Sequence, residues 1–126
     1  MTGAPTKTIL VVEDDASVRQ LLTRALSSLY RVVEAADGAE AMQILEGMQP
    51  PPHLVICDVM MPKITGYALA RLLKADDKLR GIPIVFLTAR TSAKDVVEGI
   101  NAGARHYITK PFALREVMDK VAKILK

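Results

Sequence analysis

Four polar groups each close a short apolar run. Glu13-Asp14-Asp15 follow Ile9-Leu10-Val11-Val12, and Asp58 follows Leu54-Val55-Ile56-Cys57. Thr88 follows Ile84-Val85-Phe86-Leu87, and Lys110 follows Tyr107-Ile108-Thr109 and precedes Pro111. Apolar, β-branched runs of this length read as buried strands, so the polar residue that ends each one surfaces where the chain leaves the core. If the strands are adjacent and parallel, carboxylates, a hydroxyl and an ammonium converge on one edge of a sheet. Clustered carboxylates suit a hard divalent cation, which takes oxygen ligands. An ammonium and a hydroxyl suit the equatorial oxygens of a phosphoryl group in transfer. The chemistry in prospect is metal-assisted phosphoryl transfer centred on Asp58.

The elements that must place these groups alternate along the chain. Strands are expected over 8–12, 30–35, 54–57, 84–87 and 106–108. Helices are expected over 16–29, 38–48, 66–75, 92–102 and 114–125. The first helix repeats Val18, Leu21, Leu22, Ala25, Leu26 and Leu29 at intervals of three and four, with all six expected on its inward stripe, and Asp15 is its expected N-cap. Ala41, Ile44, Leu45 and Met48 share a face of the second, which Pro50-Pro51-Pro52 ends as a stiff connector. Ser92 and Asp95 form a variant capping box for the fourth, and Gly103 ends it. The last helix turns Val117, Val121, Ile124 and Leu125 inward.

Five strand–helix units in strict alternation specify an α/β domain, a parallel sheet covered by helices on both faces. The continuous apolar character of strands one, three and four is that of doubly covered strands. In such a doubly wound sheet, sites form at the carboxyl ends of the strands where strand order reverses. With order 2-1-3-4-5 that point lies between strands one and three, and Asp14 and Asp58 face each other across it.

Size and composition bound the rest. The 126 residues are half apolar and a quarter charged, which provides a core without low-complexity sequence. One domain over 1–126 is expected, with 1–6 as a flexible N-terminus. No apolar stretch approaches the roughly 20 residues of a membrane span, and the N-terminus carries no apolar signal region. A single cysteine, Cys57, leaves no disulfide within the chain. These features predict a soluble cytoplasmic protein that does not engage membranes. Seventeen basic against fourteen acidic residues give +3, spread along the chain, with 4% aromatics. A nucleic-acid surface needs a concentrated basic patch, so direct nucleic-acid binding is not expected.

The stretches ILVVEDDASVRQLL, LVICDVMMPKITGYALA, IPIVFLTAR and GARHYITKPF closely resemble the receiver domain of two-component response regulators. The ordered set of acid pair, Asp, Thr-Ala and Lys-Pro is specific, and the likeness spans about residues 7–126. It implies the flavodoxin-like (βα)5 fold of the single-domain chemotaxis regulators. Asp58 would then accept a phosphoryl group from a phosphohistidine on a sensor histidine kinase or a histidine phosphotransfer protein. Asp14, Asp58 and the backbone carbonyl of Met60 would hold Mg²⁺, with Mn²⁺ as an alternative, and Glu13 would act through water. Lys110, the Thr88 hydroxyl and the Ala89 amide would contact the phosphoryl oxygens, with the Lys110–Pro111 bond cis. Thr88 and Tyr107 would be the switch pair. Movement of Thr88 would vacate space for the Tyr107 ring and remodel the surface of the fourth helix, fifth strand and fifth helix for a downstream protein. A monomer or a phosphorylation-dependent homodimer is implied.

Other readings weigh against this one. Asp15 is better a helix cap than a ligand, Cys57 a buried structural thiol, and His53 a solvated loop residue. Met42, Met48, Met60, Met61 and Met118 read as core or surface fillers. Haloacid-dehalogenase-type phosphatases need a second Asp two residues after the nucleophile, and Met60 stands there. A turnover enzyme is therefore not expected. Nucleotide binding lacks a phosphate loop after strand one. A phosphorylation-independent binding module would have lost one of the key residues, and none is lost. Met60 and Arg90 occupy positions that in the family tune loss of the phosphoryl group, and Met60, unable to orient water, favours a long-lived phosphoform. Winged-helix regulators often carry two acids after Gly-Ala for dimer salt bridges. Arg105-His106 stand here, which fits a stand-alone protein or another subclass better.

Overall fold

The computed structural model describes residues 6–89, Val97, Asn101 and 106–126. Its elements run β1 (Thr8–Val12), α1 (Ala16–Leu26), β2 (Arg31–Ala35), α2 (Gly38–Gly47), β3 (Leu54–Asp58), α3 (Gly66–Lys74), β4 (Ile84–Thr88), β5 (His106–Thr109) and α4 (Leu114–Ile124). The five strands form one parallel sheet in the order β2-β1-β3-β4-β5.

Successive strand side chains point to opposite faces, and each face carries its own core. Ile9, Val11, Leu54, Ile56, Val85, Leu87 and Ile108 pack on one side against Leu22 and Leu26 of α1 and Val117 and Val121 of α4. Leu10, Val12, Val55, Cys57 and Phe86 pack on the other against Ala41 and Leu45 of α2 and Leu69, Ala70 and Leu73 of α3. Being apolar on both faces, β1, β3 and β4 admit polar residues only at their ends. The site residues are there.

The helices begin where side chains capture the free first-turn amides. Asp15 Oδ1 accepts from the amides of Ser17 and Val18 at 2.9 and 3.2 Å. Asp37 Oδ1 accepts from Glu40, and Thr65 Oγ1 from Ala68. α4 has Ala113 at its N-cap and so no side-chain cap, and its packing against β5 and α1 must hold it.

Several boundaries differ from the sequence reading. α1 stops at Leu26, because the amides of Leu29 and Tyr30 both bond to the Leu26 carbonyl and turn the chain into β2. Leu29, expected inside, is 64% exposed, and Leu21 also faces outward. β2 starts at Arg31, while α2, α3 and α4 each end one residue early. β3, β4 and β5 each extend one residue, because Asp58 pairs with Leu87 and Thr88 with Thr109. Asp58 and Thr88 thus occupy the last positions of the ladder rather than the loops beyond it. Val97 and Asn101 are helical, within the fourth helix expected over 92–102. The remainder of that segment, with Arg90, Ser92, Asp95, Gly103 and Arg105, lies outside the described residues, as do residues 1–5 of the expected N-terminal tail.

Candidate functional site

The carboxyl edge of the sheet gathers the predicted groups. Glu13 leaves β1 fully buried, its amide bonded to the Ala35 carbonyl at 3.1 Å. Asp58 ends β3 with 6% of its surface exposed. Lys110 follows β5, and its amide donates to the Thr88 carbonyl at 2.9 Å. Its ammonium donates to Glu13 Oε1 and Asp58 Oδ2, both at 2.9 Å. One cation thus ties the ends of β1, β3 and β5 together across the mouth of the site. The Lys110–Pro111 peptide is cis, as is Gln49–Pro50.

The remaining carboxylate oxygens on these two residues are also held. Asp58 Oδ1 accepts from the Met60 amide at 3.1 Å, and Glu13 Oε2 from the Asp15 amide at 3.1 Å. Asp14 is exposed beside them. Carboxylate oxygens of Glu13, Asp14 and Asp58 all lie within 4.8 Å of one another. Three all-oxygen donors, two anchored and one reaching into solvent, fit a hard cation that retains part of its water shell.

The electrostatics follow from this crowding. Burial pushes the Glu13 carboxyl from 4.5 up to about 7, the neighbouring Asp58 adds to the rise, and Lys110 and the Asp15 amide pull against it. Burial of Lys110 disfavours its charge, yet hydrogen bonds to Glu13 and Asp58 outweigh this and raise its pKa. Cys57 is fully buried and its thiol is pushed well above the ordinary range by burial and by both acids, which makes it inert packing.

The loop after β3 is shaped by two backbone features. Lys63 adopts φ 71° between Pro62 and Ile64. The Gly66 amide then bonds to the Val59 carbonyl at 2.9 Å. A Cβ on Gly66 would stand 2.5 Å from the Asp58 carbonyl oxygen and 2.9 Å from Val59 Cα. Only glycine lets α3 start this close to the strand that carries Asp58.

Thr88 is buried at the end of β4, and Ala89 after it is exposed. Met60 lies beside Asp58 with 49% of its surface exposed. Tyr107 is half-buried in β5, its ring 5.8 Å from that of Phe86. Its hydroxyl lies 3.3 Å from that of Tyr67, which packs edge-on against Phe86. Lys120 Nζ donates to the Tyr107 carbonyl. His53 is exposed but not purely solvated: its Nδ1 accepts from the Thr8 amide at 3.1 Å.

A sequence model of the response regulator receiver domain matches residues 9–122. The chain belongs to the response regulator receiver domain family. Its receiver fold is that of Vibrio cholerae chemotaxis protein CheY4, with a TM-score of 0.88 at 29% identity over 95% of this chain and 99% of that one. The signal receiver domain of a histidine kinase from Syntrophus aciditrophicus gives 0.87 at 36% identity, covering 94% and 89%. In sequence, the response regulator MprA of Mycobacterium sp. (strain KMS) is 42% identical over 121 residues, 94% of this chain and 50% of that protein. The receiver spans about half the length of the curated relatives it matches. The family places it in two-component signalling. Among the described residues, no helix is long and apolar enough to cross a membrane.

Two residues of this neighbourhood escaped the sequence reading. Arg19 stands in the first helix with no role assigned to it from sequence. Its Nη1 donates to the Glu13 carbonyl at 2.7 Å and its Nε to Glu34 at 3.0 Å. Tyr67 was read only as part of the third helix, and its contact with Tyr107 lies 40 positions away in sequence. The one signal for Arg19 is its place on the first turn and a half after the acids.

Proposed function

We propose that this receiver is a phosphorylation-activated switch in which Asp58 takes a phosphoryl group from a histidine kinase or phosphotransfer protein in the cytoplasm. The observation that carries it is the Lys110 ammonium bridging Glu13 and Asp58 beside the Asp14 carboxylate. A carboxylate oxygen of Asp58 attacks phosphorus as the P–N bond to the donor imidazole breaks, and the imidazole nitrogen keeps the bonding pair. The product is an acyl phosphate. Glu13, Asp14, Asp58 and the Met60 carbonyl would hold Mg²⁺ or Mn²⁺, which supplies neutralisation of the phosphoryl charge. Lys110 neutralises that charge from the other side, and its two carboxylate partners keep it ionised. Thr88 and the Ala89 amide donate to the phosphoryl oxygens once these arrive.

The output is conformational. Contacts that Thr88 makes only in the phosphorylated form draw it toward Asp58, and Tyr107 follows, which changes the surface around β5 and α4 for a downstream protein. Met60 stands where a turnover phosphatase would place its general acid, so the protein carries out only its own phosphorylation and slow dephosphorylation. Hydrogen exchange by mass spectrometry tests the switch. With Mg²⁺ and acetyl phosphate, amides in β5 and α4 change protection in the wild type and not in Asp58→Asn. Identical exchange with and without the phosphodonor would sink the reading.

A further inference from the structure

Two acids of this site, Glu13 and Asp14, sit on the β1–α1 turn and face Asp58 at the end of β3. Three like-charged carboxylates within 4.8 Å favour opening of the β1–α1 turn. Glu13 is fastened at its amide by Ala35 and at both carboxylate oxygens by Lys110 and Asp15. Its carbonyl, which sets the peptide plane leading into Asp14, is fastened by Arg19 Nη1 at 2.7 Å. Arg19 is itself fixed at two further points. Its amide bonds to the Asp15 carbonyl at 2.9 Å, and its Nε donates to Glu34 Oε1 on β2 at 3.0 Å. Glu34 lies in the ladder opposite Val11, which fixes its backbone beside the end of β1.

We propose that Arg19 is the positioning residue of the acid-bearing turn and that, with Glu34, it sets the affinity of the site for Mg²⁺. The inference rests on the reading of Glu13, Asp14 and Asp58 as a cation site. Arg19 does two things that a generic helix cation does not. Its fork spans two acceptors at once and so fixes the peptide that aims Asp14. Its charge is engaged by Glu34, which holds the guanidinium at the flank instead of over the carboxylates, where it would compete with the metal. A lysine offers a point charge without the fork, so the role depends on geometry as well as charge.

Calorimetric titration with Mg²⁺ tests this on wild type, Arg19→Ala, Arg19→Lys and Glu34→Gln, each first shown folded by circular dichroism in chelator. Loss of groups that orient metal ligands typically weakens metal binding about tenfold or more. Arg19→Ala should weaken Mg²⁺ binding on that scale and Arg19→Lys should not restore it. Glu34→Gln should also weaken it, by freeing the guanidinium. The rate of phosphorylation by acetyl phosphate should shift its half-saturation in Mg²⁺ by the same factor, with the rate at saturating Mg²⁺ retained. A purely structural Arg19 would lower the melting temperature in chelator and leave Kd for Mg²⁺ unchanged, and that result overturns the proposal. Wild type that binds no Mg²⁺ overturns the cation-site reading as well, and is told apart by its own titration.

Discussion

Glu13 shows how much a single buried acid costs this site. Its carboxyl is raised from 4.5 to about 7, first by burial. An acid whose folded pKa is raised contributes stability that is fully present below its unfolded pKa and is lost as pH rises through the folded value. Without metal, its contribution therefore falls between about pH 4.5 and pH 7. Gln at this position keeps the shape without the charge. In chelator, the melting temperature of Glu13→Gln relative to wild type should rise from pH 5 to pH 7.5. A constant difference across that range would contradict a raised Glu13. The same argument makes binding of a divalent cation weaken as pH drops below about 7, because the ligand must then shed a proton. Composition and spacing marked Glu13 as an acid near the site. They could not show its burial, which follows from the tight β1–α1 turn and from the Lys110 partner 97 positions away.

Among the elements, the junction of β3 and α3 carries the heaviest constraint. The missing Cβ of Gly66 leaves room for the Asp58 carbonyl, and both atoms it would strike are backbone. Overpacking of this kind costs about 1–3 kcal/mol. Gly66→Ala should therefore lower the unfolding free energy by that amount, read as a lower urea midpoint at unchanged slope, and slow phosphorylation by displacing the end of β3. An unchanged midpoint would show that the junction is slack. Strand identities were legible because β1, β3 and β4 are apolar on both faces, a pattern that helices on a protein surface do not show. Boundaries were less so. Periodicity alone carried α1 on to Leu29, since a leucine repeat does not record where the chain turns. The ladder positions of Asp58 and Thr88 were missed because a polar residue ends an apolar run in sequence one step before it ends the hydrogen bonding. The Arg19 clamp had no periodic signature at all, because it depends on where β2 lies beside β1.

As a whole molecule, the domain places its two cores on opposite faces of the sheet and Glu13, Asp14, Asp58 and Lys110 together at its carboxyl edge. The strand order expected for the doubly wound fold, which places Asp14 and Asp58 at its switch point, is the order observed. The fold therefore holds three carboxylates near one another at its own expense, and a cation bound only by the native state should repay it. Binding to the folded form alone stabilises by about 2.7 kcal/mol when ligand stands at about a hundred times Kd. Millimolar Mg²⁺ should raise the melting temperature by several degrees, and this rise should shrink in Asp14→Asn. A melting temperature indifferent to Mg²⁺ would argue that the acids serve another purpose. The tertiary pairing of Tyr107 with Tyr67 belongs to this scale too, since it joins β5 to α3 across the Phe86 ring and is visible only once the sheet is closed.

Intact mass after incubation with acetyl phosphate, with and without Mg²⁺, tests the central claim most directly. The account predicts one phosphoryl adduct per chain, dependent on Mg²⁺, absent in Asp58→Asn and strongly reduced in Lys110→Ala. An adduct that survives in Asp58→Asn, or none in wild type that demonstrably binds Mg²⁺, would contradict it.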